Sequence, residues 1–372
     1  MNRFERQIKL SGFGKASQQK LKEAKVLVVG AGGLGCPALI YLASCGVGEI
    51  GIADGDVVSV SNLNRQILFG ESDIGKLKPE AAKEHLLSKY SNLKITTINE
   101  YITQKNAIEI ISGYDIVLDG SDNFPVRYLV NDTCVLLNRP LVFGAIYQYE
   151  GQLAVFNVPD ESKVKTNYRD LFPEPPEQFE VPDCNQTGVI GVLPGVIGTL
   201  QAAEVIKLIT GIGRPHINRV LIYDLRNSQF YETTLRPDMK TNSKIPKTVE
   251  QLKETDYSLA CNSIHSITWS EVEKYLGNFS GKAILVDVRE HFEVPRFTHY
   301  TNVRIPLSEL ETDQEYFQNY EVIILFCQAG IRSLKAANII STRFKDKEVY
   351  SVYGGLDNPE SPVKTLEYAG KI

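Results

Sequence analysis

An unbroken apolar run, Val26 to Val29, passes directly into Gly30-Ala-Gly-Gly-Leu-Gly35. A helix-like stretch from Pro37 to Ser44 follows, and a second apolar run, Glu49 to Ala53, leads into Asp54. Strand, glycine turn, helix and strand in that order constrain the chain to an α/β architecture with a phosphate cradle. Glycines at 30, 32, 33 and 35 allow a tight turn and close backbone approach to phosphate oxygens, and the helix N-terminus adds unpaired N–H groups and partial positive charge. Asp54, 24 residues after Gly30, is placed to accept hydrogen bonds from ribose hydroxyls. Taken alone, this unit fits an NAD-dependent oxidoreductase as well as other nucleotide-binding enzymes.

The length of 372 residues allows two or three domains, and 43% apolar with 23% charged residues marks a folded globular chain. Its 40 Lys+Arg against 45 Asp+Glu give a net charge of −5, which argues against a nucleic-acid binder. Val189 to Leu200, the longest apolar stretch, is short and interrupted by Gly191, Pro194, Gly195 and Gly198, so no membrane span is expected. The first residues, Met1-Asn-Arg-Phe-Glu-Arg6, lack the apolar core of a signal peptide, and a cytoplasmic location is expected. Cys36, Cys45, Cys134, Cys184, Cys261 and Cys327 contain no Cys-x-x-Cys pair and read as reduced thiols.

Further apolar runs at residues 94–98, 115–118, 140–142 and 152–156 alternate with helical patterns at 79–90 and 126–137, which predicts a mainly parallel sheet. Residues 157–182 carry Pro159, Pro173, Pro175, Pro176 and Pro182 and read as a long surface loop. A helix is predicted over 199–210 and paired strands over 220–224 and 229–233. The polar, Lys-rich stretch 241–262 reads as a linker between a first domain, 1–240, and a second, 263–372. In the second, strands are predicted at 283–288, 322–326 and 348–353 and helices at 268–276 and 333–342.

Three motifs follow the glycine turn: Ser61-Asn-Leu-Asn-Arg-Gln66, Gly75-Lys-Leu-Lys78 and Asp119-Gly-Ser-Asp-Asn123. With them, residues 3 to 235 resemble the E1-like adenylyltransferases of the ThiF/MoeB/HesA type, which activate ubiquitin-like sulfur carriers in molybdopterin and thiamine synthesis. The resemblance implies a Rossmann-like adenylation domain in which the carrier's C-terminal glycine carboxylate attacks the α-phosphate of ATP. It assigns Arg65 and Lys78 as cations for the phosphates, which stabilise the charge that builds during phosphoryl chemistry. Ser61, Asn62, Asn64 and Asn123 support the nucleotide, and Asp122 helps hold Mg²⁺, a hard ion suited to carboxylate and phosphate oxygens. Arg6 matches an arginine that reaches the neighbouring subunit, implying a homodimer. Many relatives carry a structural zinc on two Cys-x-x-Cys pairs. Asn167 and Asp170 stand at the first pair and the region around Pro237-Asp-Met-Lys240 has no cysteine, so no zinc is expected.

Cys184, in Pro182-Asp-Cys-Asn-Gln-Thr-Gly188, matches the cysteine that becomes linked to the activated carrier, as thioester or through a persulfide. Cys327 ends a buried strand and opens Cys327-Gln-Ala-Gly-Ile-Arg332-Ser333 ahead of a helix, an environment that lowers a thiol pKa and stabilises an anion. With Leu285-Val-Asp-Val-Arg-Glu290, Ile305-Pro-Leu-Ser-Glu-Leu310 and Val352-Tyr-Gly-Gly-Leu356, this part resembles a single-domain rhodanese. That resemblance implies a small α/β domain with a Cys327 persulfide and Arg332 holding the anionic sulfur donor; Asp287 reads as structural. The match is imperfect between Phe292 and Asn302. Cys36, Cys45 and Cys134 read as core, and Cys261 is unassigned.

Together these features predict an adenylyltransferase with sulfurtransferase activity. Its cofactors are ATP and Mg²⁺. Its partners are a Gly-Gly-terminated carrier of the molybdopterin synthase small-subunit type, or alternatively the thiamine-pathway carrier, and a persulfide donor such as a cysteine desulfurase.

Overall fold

The computed structural model describes residues 3–174, 188–257, 265–279, 281–310 and 314–362. The chain divides into two compact units, one of residues 1–175 with 183–259 and one of 176–182 with 260–372.

The first unit is built on an eight-stranded sheet. Its strands are β1 (Lys25–Val29), β2 (Glu49–Ala53), β3 (Lys94–Ile98), β4 (Ile116–Asp119), β5 (Leu141–Tyr147), β6 (Glu150–Phe156), β7 (Arg219–Asp224) and β8 (Gln229–Thr234). Their spatial order is β3-β2-β1-β4-β5-β6-β7-β8; the pairs from β3 to β5 are parallel and those from β5 to β8 antiparallel. The parallel strands predicted at the start are therefore present, and the later ones fold back as hairpins. β1 is buried from Val26 to Val29 because the sheet is covered on both faces. Val26 and Val28 point into one apolar cluster with Leu39, Leu42, Ala202 and Val205, while Leu27 and Val29 point into another with Val130, Phe143 and Tyr168.

Helix Val192–Thr210 begins seven residues before the predicted start at Thr199. Pro194 lies in its first turn, where N–H groups have no helical partner, and Gly198 admits the carbonyl oxygen of Leu34, which a Cβ would approach to 2.1 Å. By length and composition this helix could cross a bilayer, yet it packs on β5, β6 and helix Gly35–Cys45 and carries the buried Gln201 and Glu204.

A short helix, Met239–Asn242, runs into the stretch read as a linker, and a second, Val249–Glu254, lies within it. Leu252 and Tyr257 join the first unit's core, and the Tyr257 hydroxyl donates to Asp132 at 2.9 Å, beside the buried Arg169–Asp132 ion pair. Polar composition concealed these anchors.

The second unit holds a five-stranded parallel sheet of β9 (His265–Ile267), β10 (Ala283–Asp287), β11 (Val303–Arg304), β12 (Val322–Phe326) and β13 (Glu348–Val352), in the order β11-β10-β12-β13-β9. Helix Trp269–Asn278 covers one face and Ile331–Arg343 the other. The two shortest strands, β9 and β11, escaped the sequence reading.

Candidate active sites

Strand order reverses at the β1–β4 junction, and ligands of open α/β sheets bind beyond the carboxyl ends of strands at such a switch point. Both strands end on glycine there. The Gly30 N–H donates to Ala53 O and the Gly120 N–H to Val29 O, each at 2.8 Å. Gly30 has φ +87°, and a Cβ on it would lie 2.8 Å from Gly120 O; one on Gly35 would lie 2.0 Å from Gly30 O. A Cβ on Gly33 would press on Pro194, whereas one on Gly32 would meet only Gln66 Nε2, at 3.7 Å. Gly30 and Gly35 are thus required by packing, Gly33 is close against Pro194, and Gly32 alone of the four leaves room for a ligand against the backbone. Helix Gly35–Cys45 has no side-chain cap; its Cys36 and Ala38 N–H groups donate to Gly32 O and Leu34 O, and Pro37 has none. The buried Gln66 Oε1 and Ser121 Oγ have no hydrogen-bond partner among the described residues.

Asp54 accepts the N–H groups of Ala31 and Asp56 at 2.8 Å each, so the carboxylate predicted for ribose also clamps the glycine turn. Burial pushes its carboxyl up, against the pull of Lys78 and the two N–H groups. Asn62 Oδ1 accepts from the Ser59 N–H at 3.4 Å, and Ser61 Oγ lies 3.0 Å from Ser59 Oγ. The Arg65 guanidinium donates to Ser61 O at 2.8 Å and Asn64 Oδ1 at 3.2 Å and makes no ion pair among the described residues. Lys78 is buried, its Nζ 2.7 Å from Asp56 Oδ2, and the Tyr101 hydroxyl donates to Asp56 Oδ1. Asp56 and Tyr101 were absent from the sequence-derived site; the Asp54-Gly-Asp56 spacing was the available signal for the first.

Asp122 is exposed beyond the end of β4. Asn123 caps helix Phe124–Leu136, its Oδ1 accepting the Val126 N–H at 3.1 Å, with its amide 3.4 Å from Asp122 Oδ1. The side chain expected to support the nucleotide thus starts the helix that follows Asp122. No group of three or more His, Cys, Asp or Glu side chains among the described residues could hold a metal unaided. A lone carboxylate beside a phosphate cradle fits Mg²⁺, which is held through one or two carboxylates together with substrate phosphates. Arg6 is exposed on the one-turn helix Glu5–Ile8 and makes no ion pair among the described residues.

In the second unit, Cys327 follows β12 and is 2% exposed. The Gly330 N–H donates to its Sγ at 3.1 Å, and Ser333 Oγ lies 3.7 Å from the sulfur. Gly355 seals the loop from behind, since a Cβ there would fall 2.2 Å from Cys327 O. Arg332, expected to hold an anionic donor, forms a bidentate pair with Glu293, whose carboxyl this guanidinium pulls down to about 2. Glu293 lies in the segment where the rhodanese resemblance was weakest. Asp287 accepts from both Arg289 and Arg304, a buried structural cluster. Cys184 and Cys261 lie outside the described residues.

Residues 4–245, most of the chain, match the ThiF family. The chain belongs to the ThiF family. This ThiF-family protein is 47% identical over 237 residues to the sulfur carrier protein adenylyltransferase of Thermus thermophilus, an alignment covering 63% of this chain and 88% of that one. It is 37% identical over 347 residues to the probable adenylyltransferase/sulfurtransferase MoeZ of Mycobacterium tuberculosis, covering 90% and 86%. It is also 37% identical over 384 aligned positions to the adenylyltransferase and sulfurtransferase MOCS3 of Culex quinquefasciatus, covering 95% and 86%. Among solved structures, Escherichia coli MccB with ATP superposes with a TM-score of 0.56 at 26% identity, over 64% of this chain and 72% of that one.

Asn167 and Asp170, where the resemblance led to the expectation of no zinc, belong to a hydrogen-bonded clasp in this ThiF-family protein. Asn167 Nδ2 donates to Asp170 Oδ2 at 2.8 Å and Asn242 Oδ1 at 2.5 Å, and Asp170 Oδ1 accepts the Asp238 N–H at 2.7 Å. Cys36 and Cys134 lie in the core as expected; burial pushes the Cys36 thiol up to about 12 and that of Cys134 well above its ordinary value.

Proposed function

We propose that the first unit adenylates the C-terminal glycine of a ubiquitin-like sulfur carrier and that the second supplies persulfide sulfur to form the carrier thiocarboxylate. The observation that carries this reading is the meeting, at one switch point, of a glycine turn with open space at Gly32 and the Asp122 loop, with Arg65 and Lys78 carried on the segment that follows Asp54. The carrier carboxylate, already ionised at neutral pH, attacks the α-phosphate, and pyrophosphate departs. Arg65 and Lys78 stabilise the charge on the transferring and departing phosphates, and Asp122 is the residue that would hold Mg²⁺. Mg²⁺ neutralises phosphate charge when bound. Arg6 completes this site from a second subunit in a homodimer.

The Cys327 thiolate attacks the outer sulfur of a protein-borne persulfide and the donor leaves as a thiolate; the Gly330 N–H donates to Cys327 Sγ. The outer persulfide sulfur attacks the acyl adenylate and displaces AMP, giving an acyl disulfide on Cys327. A second thiol, assigned to Cys184, then attacks the Cys327 sulfur, breaks the S–S bond and releases the thiocarboxylate, leaving the two cysteines oxidised to a disulfide. The molybdopterin synthase small subunit is the first-choice carrier, supported by the MoeZ and MOCS3 relatives, and the thiamine-pathway carrier is the second. Hydride transfer with NAD gives Arg65, Lys78 and Asp122 no role. The chain works in the cytoplasm on this reading.

Carrier-dependent ATP–pyrophosphate exchange with candidate Gly-Gly proteins is the test. Exchange with one carrier and none without it is expected; no exchange with any candidate would refute adenylation.

A further inference from the structure

Lys78 presents an electrostatic problem that the adenylation motifs do not resolve. Its side chain is 6% exposed, and an ammonium withdrawn from water tends to lose its proton unless a counter-ion faces it. Among the described residues the only counter-ion within salt-bridge distance is Asp56, at 2.7 Å. The backbone reinforces the pair: the Lys78 N–H donates to Asp56 O at 2.9 Å, and the Asp56 N–H donates to Asp54 Oδ1 at 2.8 Å. Tyr101 occupies the other oxygen of Asp56, and its ring lies where a Cβ on Gly55 would stand, 2.8 Å from the nearest ring atoms. Asp54, which clamps the glycine turn, is therefore joined in one chain of contacts to Asp56, Lys78 and Tyr101.

We infer that Asp56 and Tyr101 are positioning residues for Lys78, keeping its buried ammonium charged and aimed for ATP phosphate while the crevice is empty. The inference rests on the nucleotide reading given above. Asp56 supplies the compensating charge, and Tyr101 fixes the carboxylate so that one oxygen always serves Lys78. The titratable groups that interact with this lysine are the carboxylates of Asp54 and Asp56 and the neutral thiol of Cys36. Hydrogen bonds from Lys78 and Tyr101 outweigh burial and hold the Asp56 carboxyl below its ordinary value. Burial pushes the Cys36 thiol up to about 12, and the hydrogen bond to Asp56 pushes the Tyr101 hydroxyl up to about 12. A loss of ATP affinity confined to variants of Asp56 or Tyr101 therefore reports on the Lys78 pair.

The test is calorimetric binding of ATP with Mg²⁺ to the full chain at about pH 7.5 and about pH 9.5. Wild type and Asp56→Glu should change affinity by less than about threefold between the two, and Asp56→Asn should weaken by about tenfold or more as its unpaired Lys78 loses the proton. Tyr101→Phe, which leaves the ion pair in place, should weaken by about threefold beyond wild type and carries the test if Asp56→Asn does not fold. A purely structural role would leave the pH dependence of the variants identical to that of wild type, and that result would overturn the inference. Absence of ATP binding by the wild type at either pH would overturn the nucleotide reading and this inference together.

Discussion

Lys76 and Lys78 are equivalent letters in Gly75-Lys-Leu-Lys78, yet they meet different environments. Lys76 is exposed and bridges Asp73 and Glu84, the kind of surface contact that contributes little, whereas Lys78 is enclosed against Asp56. Motif resemblance picked out Lys78 but not its counter-ion, because Asp56 shows its function only once the 54–56 turn folds against residue 78. Asp73 is the buried anchor of the intervening loop, accepting from the Gly70 N–H at 2.9 Å and lying 2.6 Å from His85 Nε2. Burial opposes its ionisation, but these hydrogen bonds and Lys76 outweigh it and hold the carboxyl at about 2. A carboxyl depressed in the folded state stabilises the fold above its unfolded pKa of about 4, and that contribution disappears as pH falls through its folded value. Asp73→Asn should therefore lower stability by roughly 1–3 kcal/mol at neutral pH, with the gap to wild type closing as pH falls toward 2 in thermal melts.

Helix Val192–Thr210 carries the lesson at the level of elements. Read as letters, Pro194, Gly195 and Gly198 are breakers, which delayed the predicted start. In the fold, the proline sits in the first turn and Gly198 is the point of closest approach to the chain at Leu34. The two glycines differ physically: a Cβ at Gly195 meets nothing within 4 Å, whereas one at Gly198 would strike Leu34 O at 2.1 Å. Gly195→Ala should stabilise by roughly 0.4–1 kcal/mol by restricting the unfolded chain. Gly198→Ala should destabilise by roughly 1–3 kcal/mol through overpacking. Denaturant midpoints of the two variants moving in the same direction would contradict this account of the helix. The long parallel strands were legible because burial on both faces leaves continuous apolar runs; β9 and β11 are too short to carry such a pattern.

At the scale of the whole molecule, the chemistry divides between two units, each of which places its candidate residues at the carboxyl ends of parallel strands. The first unit continues through Tyr257, well into the polar stretch that composition marks as a linker, because a few buried contacts at Leu252 and Tyr257 outweigh the average character of the segment. The Asn167–Asp170–Asn242 clasp likewise joins segments far apart in sequence through hydrogen bonds that spacing alone does not reveal. The Arg332–Glu293 pair was hidden for the same reason. The claim that unites the two units is that sulfur passes from Cys327 to a carrier activated by the first. Its most direct test incubates the full chain and a Cys327→Ala variant with ATP, Mg²⁺, a persulfide donor and the carrier that supports exchange, and reads the intact mass of that carrier. The wild type is predicted to replace one carrier oxygen by sulfur, and Cys327→Ala to leave the carrier unsulfurated while retaining pyrophosphate exchange. A normal thiocarboxylate yield from Cys327→Ala would contradict the account.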